Sequence, residues 1–517
     1  MIIQEIKKIG RKIKEYRSVF VVGLIFSIIA YFLLISNQLV NSDDGLWEYS
    51  YYKAGKWSLS LGRWLWLYLD RLRFGISTEP LTSLISLACF SLGFAFILDL
   101  FEIGKKKVGY LVSLLFLSST AVCIALSYRY MSPTFALAFL LSVLAAWIII
   151  KWENKVLAVV GGGIAIAFSM GLYQSYLGCT CIILVGYFIY VLQKDDEELK
   201  SILINIVKAL LAAILGGVLY IVILNVHLNF FHLGMADYNG GNMYSIGNTI
   251  KYLPYSIAQT YRVFKRYFIE NYFKTNVLQD GKIYMVVFAL AIIFLAIGLI
   301  HVLKKNKIKA LLYILFVSLI PVASNAVLLI ATSAWTSLQM TAPMALCIPI
   351  LLCVEVNTIC AHKKWLERIN IVVLALLLYG NIYQIQIDQN VMQEGKIATT
   401  TMANEIIHTL NEKDCLDANL KYCVIGTPSG NELFQTSKMY DMANSYARFG
   451  SWTSDITCNR RSWQGVFSYL CGIDLEICTV GEYEELMANE IVQNMEAYPK
   501  EGFIVQIGDT VVIKVAE

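Results

Sequence analysis

The stretch 19–47 reads VFVVGLIFSIIAYFLLISNQLVNSDDGLW, and its order decides how the rest of the chain is read. Residues 19–37 carry no charge and are long enough to cross a hydrocarbon core. Six basic residues precede them (Lys7, Lys8, Arg11, Lys12, Lys14 and Arg17), and two adjacent carboxylates, Asp43 and Asp44, follow almost at once. Carboxylates at a bilayer rim are costly to desolvate, so a pair held there points to a task. The basic flank has the look of a targeting segment. No small-x-small site follows the apolar run, however, so the reading is a retained span and not a cleaved leader.

The same pattern recurs along all 517 residues, of which 57% are hydrophobic and only 15% charged. Soluble domains average about 25% charge, and the mean hydropathy here is +0.59. The chain therefore reads as a polytopic α-helical membrane protein. Apolar runs between charged breaks predict about eleven spans, at 19–37, 81–101, 108–127, 132–150, 156–172, 177–192, 203–226, 281–303, 310–331, 338–358 and 369–387. Lysine and arginine accumulate in alternate loops, at Lys105–Lys107, Lys151, Lys155, Lys194, Lys200, Lys304, Lys305, Lys307, Lys309, Lys363, Lys364 and Arg368. The short loops between them, 173–176 and 332–337, have none, and Arg129 is the exception on that side. Positive charge favours the cytoplasm. The N-terminus is accordingly expected inside, with Asp43, Asp44 and residues 388–517 outside. The net charge of +4 is spread over these loops, and no basic stripe of the kind that binds nucleic acid is present.

Two long outer loops, 38–80 and 227–280, are rich in aromatic residues. Trp47, Ser50, Tyr51 and Ala54 fall at helical spacing, and Trp57, Trp64, Trp66 and Tyr68 continue the pattern. In the second loop Lys251, Arg262, Lys265 and Arg266 interleave with Tyr252, Tyr255, Tyr261, Phe264, Tyr267 and Phe268, after a turn at Asn239-Gly240-Gly241. Both read as helices lying in the membrane interface. Beyond residue 387 the apolar runs shorten. A strand is predicted at 422–426, a hairpin across Gly508-Asp509, and helices at 397–411 and 482–496, which together make a small α/β domain. Of the twelve cysteines, Cys415, Cys423, Cys458, Cys471 and Cys478 fall in this part. They form two disulfides at most or stay as thiols, and no zinc spacing occurs.

The chemistry-bearing residues cluster on the outer side. Asp43 and Asp44 are the catalytic candidates: one carboxylate takes a proton from an attacking hydroxyl while its neighbour orients it. Ser42, Asp43 or Asp44 also suits the N-cap of a helix beginning near Leu46. A divalent cation, Mg or Mn, held by the same pair is the one cofactor the sequence leaves open. Arg63, in Gly62-Arg63-Trp64, and Arg129, in Tyr128-Arg129-Tyr130-Met131-Ser132-Pro133, suit a lipid phosphate, whose oxygens match the guanidinium fork. Snorkelling at a span end is the competing role. Arg262 and Arg266 are further phosphate candidates. Trp64, Tyr128, Tyr173, Gln174 and Gln339 are candidates for contacts to a sugar, by stacking and through side-chain amides. Pro321, Ser324 and Asn325 interrupt the ninth apolar run, which suits a cavity wall or a packing role. His227, His232 and Asp237 stand at intervals of five, which match no metal motif.

The order of these pieces resembles the glucosyltransferase II family, membrane proteins that add sugars to bacterial surface polysaccharides. The matching pieces are Asp43-Asp44 after span one, Gly62-Arg63-Trp64, Tyr128-Arg129 with Ser132-Pro133, Tyr173-Gln174-Ser175, and a strand pair near the C-terminus. The family is similar in design to C-type membrane glycosyltransferases. The resemblance implies a polyprenyl-phosphate sugar donor, a surface glycan acceptor, catalysis by Asp43 and Asp44, and donor-phosphate contacts at Arg63 and Arg129. It also implies a place in the bacterial cytoplasmic membrane. No arginine stands in the outer loop after span nine, where Gln339 is the nearest polar substitute.

The sequence thus predicts two parts, a membrane catalytic part at 1–387 and an extracytoplasmic α/β part at 388–517. The expected activity is transfer of a glucose-like hexose from a polyprenyl phosphate. The rival reading is a transporter or flippase of lipid-linked sugars, which would place charges at mid-membrane and show an internal repeat. Here the acids avoid the span centres.

Overall fold

A computed structural model describes residues 2–41, 52–103, 107–238, 246–280, 282–331, 336–356, 364–434, 437–450, 452 and 455–517. The expectations for 42–51 (Asp43, Asp44 and Trp47 among them) and for Asn239-Gly240-Gly241 lie outside these residues.

The helices are α1 (Ile2–Glu15), α2 (Arg17–Ala30), α3 (Phe32–Ser36), α4 (Lys56–Ser60), α5 (Trp64–Leu72), α6 (Leu81–Leu100), α7 (Lys107–Leu117), α8 (Thr120–Ser127), α9 (Ser132–Lys151), α10 (Lys155–Leu172) and α11 (Leu177–Leu192). They continue with α12 (Leu199–Phe230), α13 (Ile246–Phe268), α14 (Ile283–Lys305), α15 (Lys307–Ser318), α16 (Ile320–Ala323), α17 (Val327–Ile330), α18 (Ala342–Val356) and α19 (Lys364–Glu412). The C-terminal part adds α20 (Ile456–Gly465), α21 (Val480–Met487), α22 (Glu490–Gln493) and strands β1 (Lys421–Ile425), β2 (Glu476–Ile477), β3 (Ile504–Ile507) and β4 (Thr510–Lys514).

Among the described residues seven helices are long and apolar enough to cross a membrane: α6, α9, α10, α11 with the turn before it, α12, α14 and α19. The pair α7–α8, bent by 50°, makes an eighth if it is one span. The chain is thus a helical protein built for a membrane. The boundaries of the apolar runs match the helices closely, since the run expected at 132–150 is α9 and that at 177–192 is α11.

Three expected spans are interrupted. The run at 19–37 breaks at Tyr31, which is fully buried and donates its hydroxyl to the Leu117 carbonyl at 2.8 Å. The break frees backbone groups that no water would reach, and α19 supplies the partners. Gln386 and Gln389 donate to the Ala30 carbonyl at 2.7 and 3.0 Å, and the Leu34 amide donates to Gln389 Oε1 at 3.1 Å. The run at 108–127 bends at Ser118-Ser119. The run at 310–331 breaks into α15, α16 and α17 because Pro321 has no N–H to continue the ladder. There Ser324 and Asn325 bond back to the Ile320 and Pro321 carbonyls at 2.8 and 3.3 Å.

Close packing centres on aromatic residues. Phe116 stacks on Phe139 at 4.8 Å, and Phe90 and Phe94 sit against the pair. Amphipathic α1 lies across one end of the bundle, where Lys12 meets Asp99 at 2.8 Å and Asp99 accepts from Trp147 Nε1.

At 49 residues, α19 is about 73 Å long, more than twice a hydrocarbon core. It runs without a break through the boundary expected near 387, and the helix expected at 397–411 is its last third. Its fully buried Asp388 accepts from the Asn444 amide and side chain at 3.0 and 2.9 Å and from Tyr446 Oη at 2.6 Å. This fastens the C-terminal part to the bundle. That part holds one four-stranded sheet in the order β2-β1-β4-β3, with β1 parallel to both neighbours and β3–β4 antiparallel. The hairpin turns at Gly508-Asp509 as expected, with Gly508 at φ +59°. β1 and β4 are buried on both faces. The helix expected at 482–496 is two short ones, α21 and α22, parted at Ala488-Asn489, where Asn489 caps the second. Among the described residues all cysteines are thiols, and Cys423 and Cys478 lie side by side on β1 and just past β2.

Thr479 and Glu482 form a reciprocal capping box at the start of α21, and Glu482 also meets Lys421 at 2.6 Å. The Lys421 ammonium, then the Thr479 bonds, lower the Glu482 carboxyl from its ordinary 4.5 to about 2. A depressed carboxyl contributes stability above its unfolded value and loses that contribution as pH falls through the folded one. The melting temperature should therefore fall with pH between about 4.5 and 2, and Glu482→Gln should flatten that part of the curve in a thermal-shift pH series.

Candidate functional site

The turn Leu61-Gly62-Arg63 between α4 and α5 is built for close approach. Gly62 has φ +83°, and a Cβ there would stand 2.4 Å from Tyr220 Oη and 2.6 Å from Gln174 Nε2. Gly62 therefore lets the backbone sit on two polar side chains. Tyr220 donates to the Gly62 carbonyl at 3.1 Å, and Gln174 Nε2 donates to the Leu61 carbonyl at 2.6 Å. These bonds leave Arg63 half-buried at the head of α5, its guanidinium 4.6 Å from the Tyr173 ring and 6.0 Å from that of Trp66. A cation over a ring face is favoured. Arg63 Nε is buried with no hydrogen-bond partner among the described residues, which leaves a donor in place for a ligand.

Trp64 is buried on the other side of the turn. It lies on Gly171, where a Cβ would come within 2.5 Å, and stacks on His227 at 5.8 Å. His227 Nε2 and Tyr68 Oη are 2.7 Å apart, and His227 Nδ1 meets the Ile223 carbonyl. His227 is thus occupied in packing this turn. Among the described residues no group of three His, Cys, Asp or Glu is placed to hold a metal.

Arg129 is 3% exposed at the end of α8. Its Nη2 donates to the Ser77 carbonyl at 3.1 Å, and its Nε lies 3.8 Å from Glu79. Burial raises the Glu79 carboxyl, while Ser83 and Arg129 pull it down. Arg73 ties the neighbouring wall together, through Asp70 and Ser77 at 2.8 and 2.7 Å and the Tyr130 carbonyl. Tyr52, Trp66 and Tyr130 form an aromatic layer on it, with centroids 4.5 to 5.9 Å apart. Tyr128 packs on Tyr130 and Phe135, and Tyr173 packs on Phe135.

Asn41, the last described residue before Asp43 and Asp44, is tied to this wall. Its amide donates to the Ser127 carbonyl at 3.3 Å, and its Nδ2 to Ser127 Oγ at 3.2 Å. Lys396, beyond the apolar part of α19, donates to the Asn37 carbonyl at 3.0 Å. Burial, then the charge of Arg129, holds its ammonium below the usual range. Two cations from distant parts of the chain thus share one partly buried region.

The structure therefore brings Arg63, Trp64, Tyr173 and Gln174 into one contact set, and Tyr128 and Arg129 into an adjoining one through Trp66, Tyr130 and Phe135. Gln339 is half-buried in the turn Leu338–Met340, which packs against α8. Arg262 and Arg266 are exposed on α13, with Arg266 over Tyr272, and no contact among the described residues joins them to Arg63 or Arg129. Lys396 escaped the sequence reading because a lysine midway along a polar helix carries no local signal, and Tyr220 because it sits inside an apolar run. Around Arg129 the described cations Arg73 and Lys396 add to it against the two carboxylates Asp70 and Glu79, a balance that does not by itself fit a divalent ion.

This is a helical membrane protein with a basic and aromatic site at one end of its bundle. The sequence profile of the family described as Glucosyl transferase GtrII matches residues 31–352, more than half the chain and all of this wall except Lys396. The protein belongs to that family and is a glycosyltransferase. Comparison with curated proteins and with solved structures found no match.

Gly62→Ala combines a left-handed backbone with a collision, and is expected to destabilise the protein by about 1–3 kcal/mol. Gly217→Ala on α12, where a Cβ meets open space, should leave stability unchanged or slightly raised. Thermal melting of the two purified variants in one detergent checks the contrast.

Proposed function

We propose that the protein transfers a glucose-like hexose from a polyprenyl-phosphate donor to a cell-surface polysaccharide or lipid-linked glycan, at the outer face of a bacterial cytoplasmic membrane. Family membership supports the transfer of a sugar. The observation that carries the rest is the tether of Asn41 to Ser127, two residues before Arg129. The segment holding Asp43 and Asp44 starts from that tether, beside a buried cation. A donor of this kind offers a tail in lipid, a phosphate at the interface and a sugar beyond it, and the basic and aromatic wall suits the last two.

In this reading the acceptor hydroxyl oxygen attacks the anomeric carbon, and the bond from that carbon to the phosphate oxygen breaks with its electron pair going to the phosphate. Asp43 or Asp44 takes the hydroxyl proton. Arg63, Arg129 and, from the structure, Lys396 stabilise the charge that develops on the departing phosphate. Trp64, Tyr128, Tyr173, Gln174 and Gln339 bound the sugar, and Arg262 and Arg266 serve the headgroup region. We read eleven passes in a C-type arrangement. They comprise the seven long helices, the bent α7–α8 pair, the broken runs at 17–36 and 307–330, and α18. The N-terminus is cytoplasmic, 1–387 forms the catalytic part, and 388–517 is an extracytoplasmic domain that helps to bind the acceptor.

The test is incubation of purified protein with polyprenyl-phosphate glucose and a glycan acceptor, followed by mass analysis of both. Asp43→Asn or Asp44→Asn should lower transfer by about 10²-fold or more at normal protein levels. Lys396→Met should lower it by a smaller factor while the protein stays folded. Full transfer by the double Asp variant, or loss of glycan export with transfer intact, would overturn the proposal.

A further inference from the structure

At the end of α10 and α12 remote from Arg63, the two helices leave a groove of about 740 Å³. Its cause lies further along the pair. A Cβ on Gly216 would meet the Gly163 carbonyl oxygen at 2.9 Å and Ile166 at 2.7 Å, so the two backbones touch there. Toward their N-termini larger side chains face one another, and the groove opens between them. Val159, Val207 and Leu211 line it, and Val207 and Leu211 are 52% and 50% exposed.

Three lysines also line it. Lys155 and Lys200 stand exposed at the ends of the helices, and Lys208 lies about 12 Å further along α12 from Lys200. Lys208 is 7% exposed, yet among the described residues it makes no hydrogen bond and no ion pair. Its charged neighbour is Lys155, another cation. Glu153, the acid nearest Lys155 in the chain, is paired with Lys8 at 2.8 Å. A buried ammonium beside a second one, among valines and leucines, calls for an anion from outside the chain.

We infer that this groove binds one anionic phospholipid. Its acyl chain lies on Val159, Val207 and Leu211, its phosphate meets Lys208 and Lys155, and Lys200 holds the rim. The apolar lining suits a chain, and the lysines supply the charge complementarity that a zwitterionic lipid answers less well. The site lies at the opposite end of α10 from Gln174, so it is separate from the transfer site and independent of the donor proposed there.

Native mass spectrometry of the full-length protein in detergent, with dioleoylphosphatidylglycerol or dioleoylphosphatidylcholine added, tests it. The expected result is more retained phosphatidylglycerol than phosphatidylcholine, reduced about fivefold in Lys208→Met. Val207→Trp, which fills the groove and keeps every charge, should reduce it comparably and serves if the lysine variant does not fold. Equal retention of the two lipids, or phosphatidylglycerol retention unchanged in a folded variant, would overturn the inference. Displacement of phosphatidylglycerol by polyprenyl phosphate in excess of that by a second anionic phospholipid would also overturn it, because the groove would then belong to the donor.

Discussion

The structure depends on satisfying backbone groups where water is absent. A chain of this apolar character is at ease as unbroken helices, and every break must be answered by a side chain. The break at Tyr31 shows the answer most clearly. Gln386 and Gln389 of α19 take the Ala30 carbonyl and the Leu34 amide, so the first apolar run is held in two pieces by a helix from the far end of the chain. The same helix carries Asp388, which fastens the loop at 444–446, and Lys396, which reaches the end of α3 at Asn37. One long element thus joins the bundle, the C-terminal sheet and the basic wall.

That arrangement explains why the site lies where it does. Polar contacts between elements recur at the end of the bundle that holds Gly62, Asn41 and Arg129, where α5, α8, α10 and α12 converge. Glycines admit the polar groups there, since Gly62 accepts Tyr220 and Gln174, and Gly171 accepts Trp64. Aromatic rings then replace water around the cations. A guanidinium on a ring face keeps its charge in a dry place at modest cost, which is the property the proposed phosphate donor calls for.

Much of this was legible from residue patterns, for a physical reason. Helix boundaries followed the apolar runs because transfer to lipid is decided by local composition, and α6, α9, α10 and α11 begin and end within a residue or two of their runs. The strand near Cys423 and the hairpin at Gly508-Asp509 were equally local. The interruptions at Ser118-Ser119 and Tyr31 were not, because each is stabilised by partners distant in sequence. The continuity of α19 carries no local signal, because its apolar and polar parts look like two elements when judged by hydropathy.

The sequence by itself determined a helical membrane protein, the place of its apolar runs, the polar α/β character of the C-terminal part and a resemblance to the family whose profile matches residues 31–352. Those are one-dimensional properties, set by residue type and spacing. Only the tertiary structure decided that Arg63 lies on Tyr173, that Lys396 comes near Arg129, that Arg262 and Arg266 stay apart on α13, and that Lys208 faces a groove with no counter-charge among the described residues. Such pairings depend on which helix faces meet. That is set by side-chain shape and close packing over the whole bundle, which no local pattern encodes.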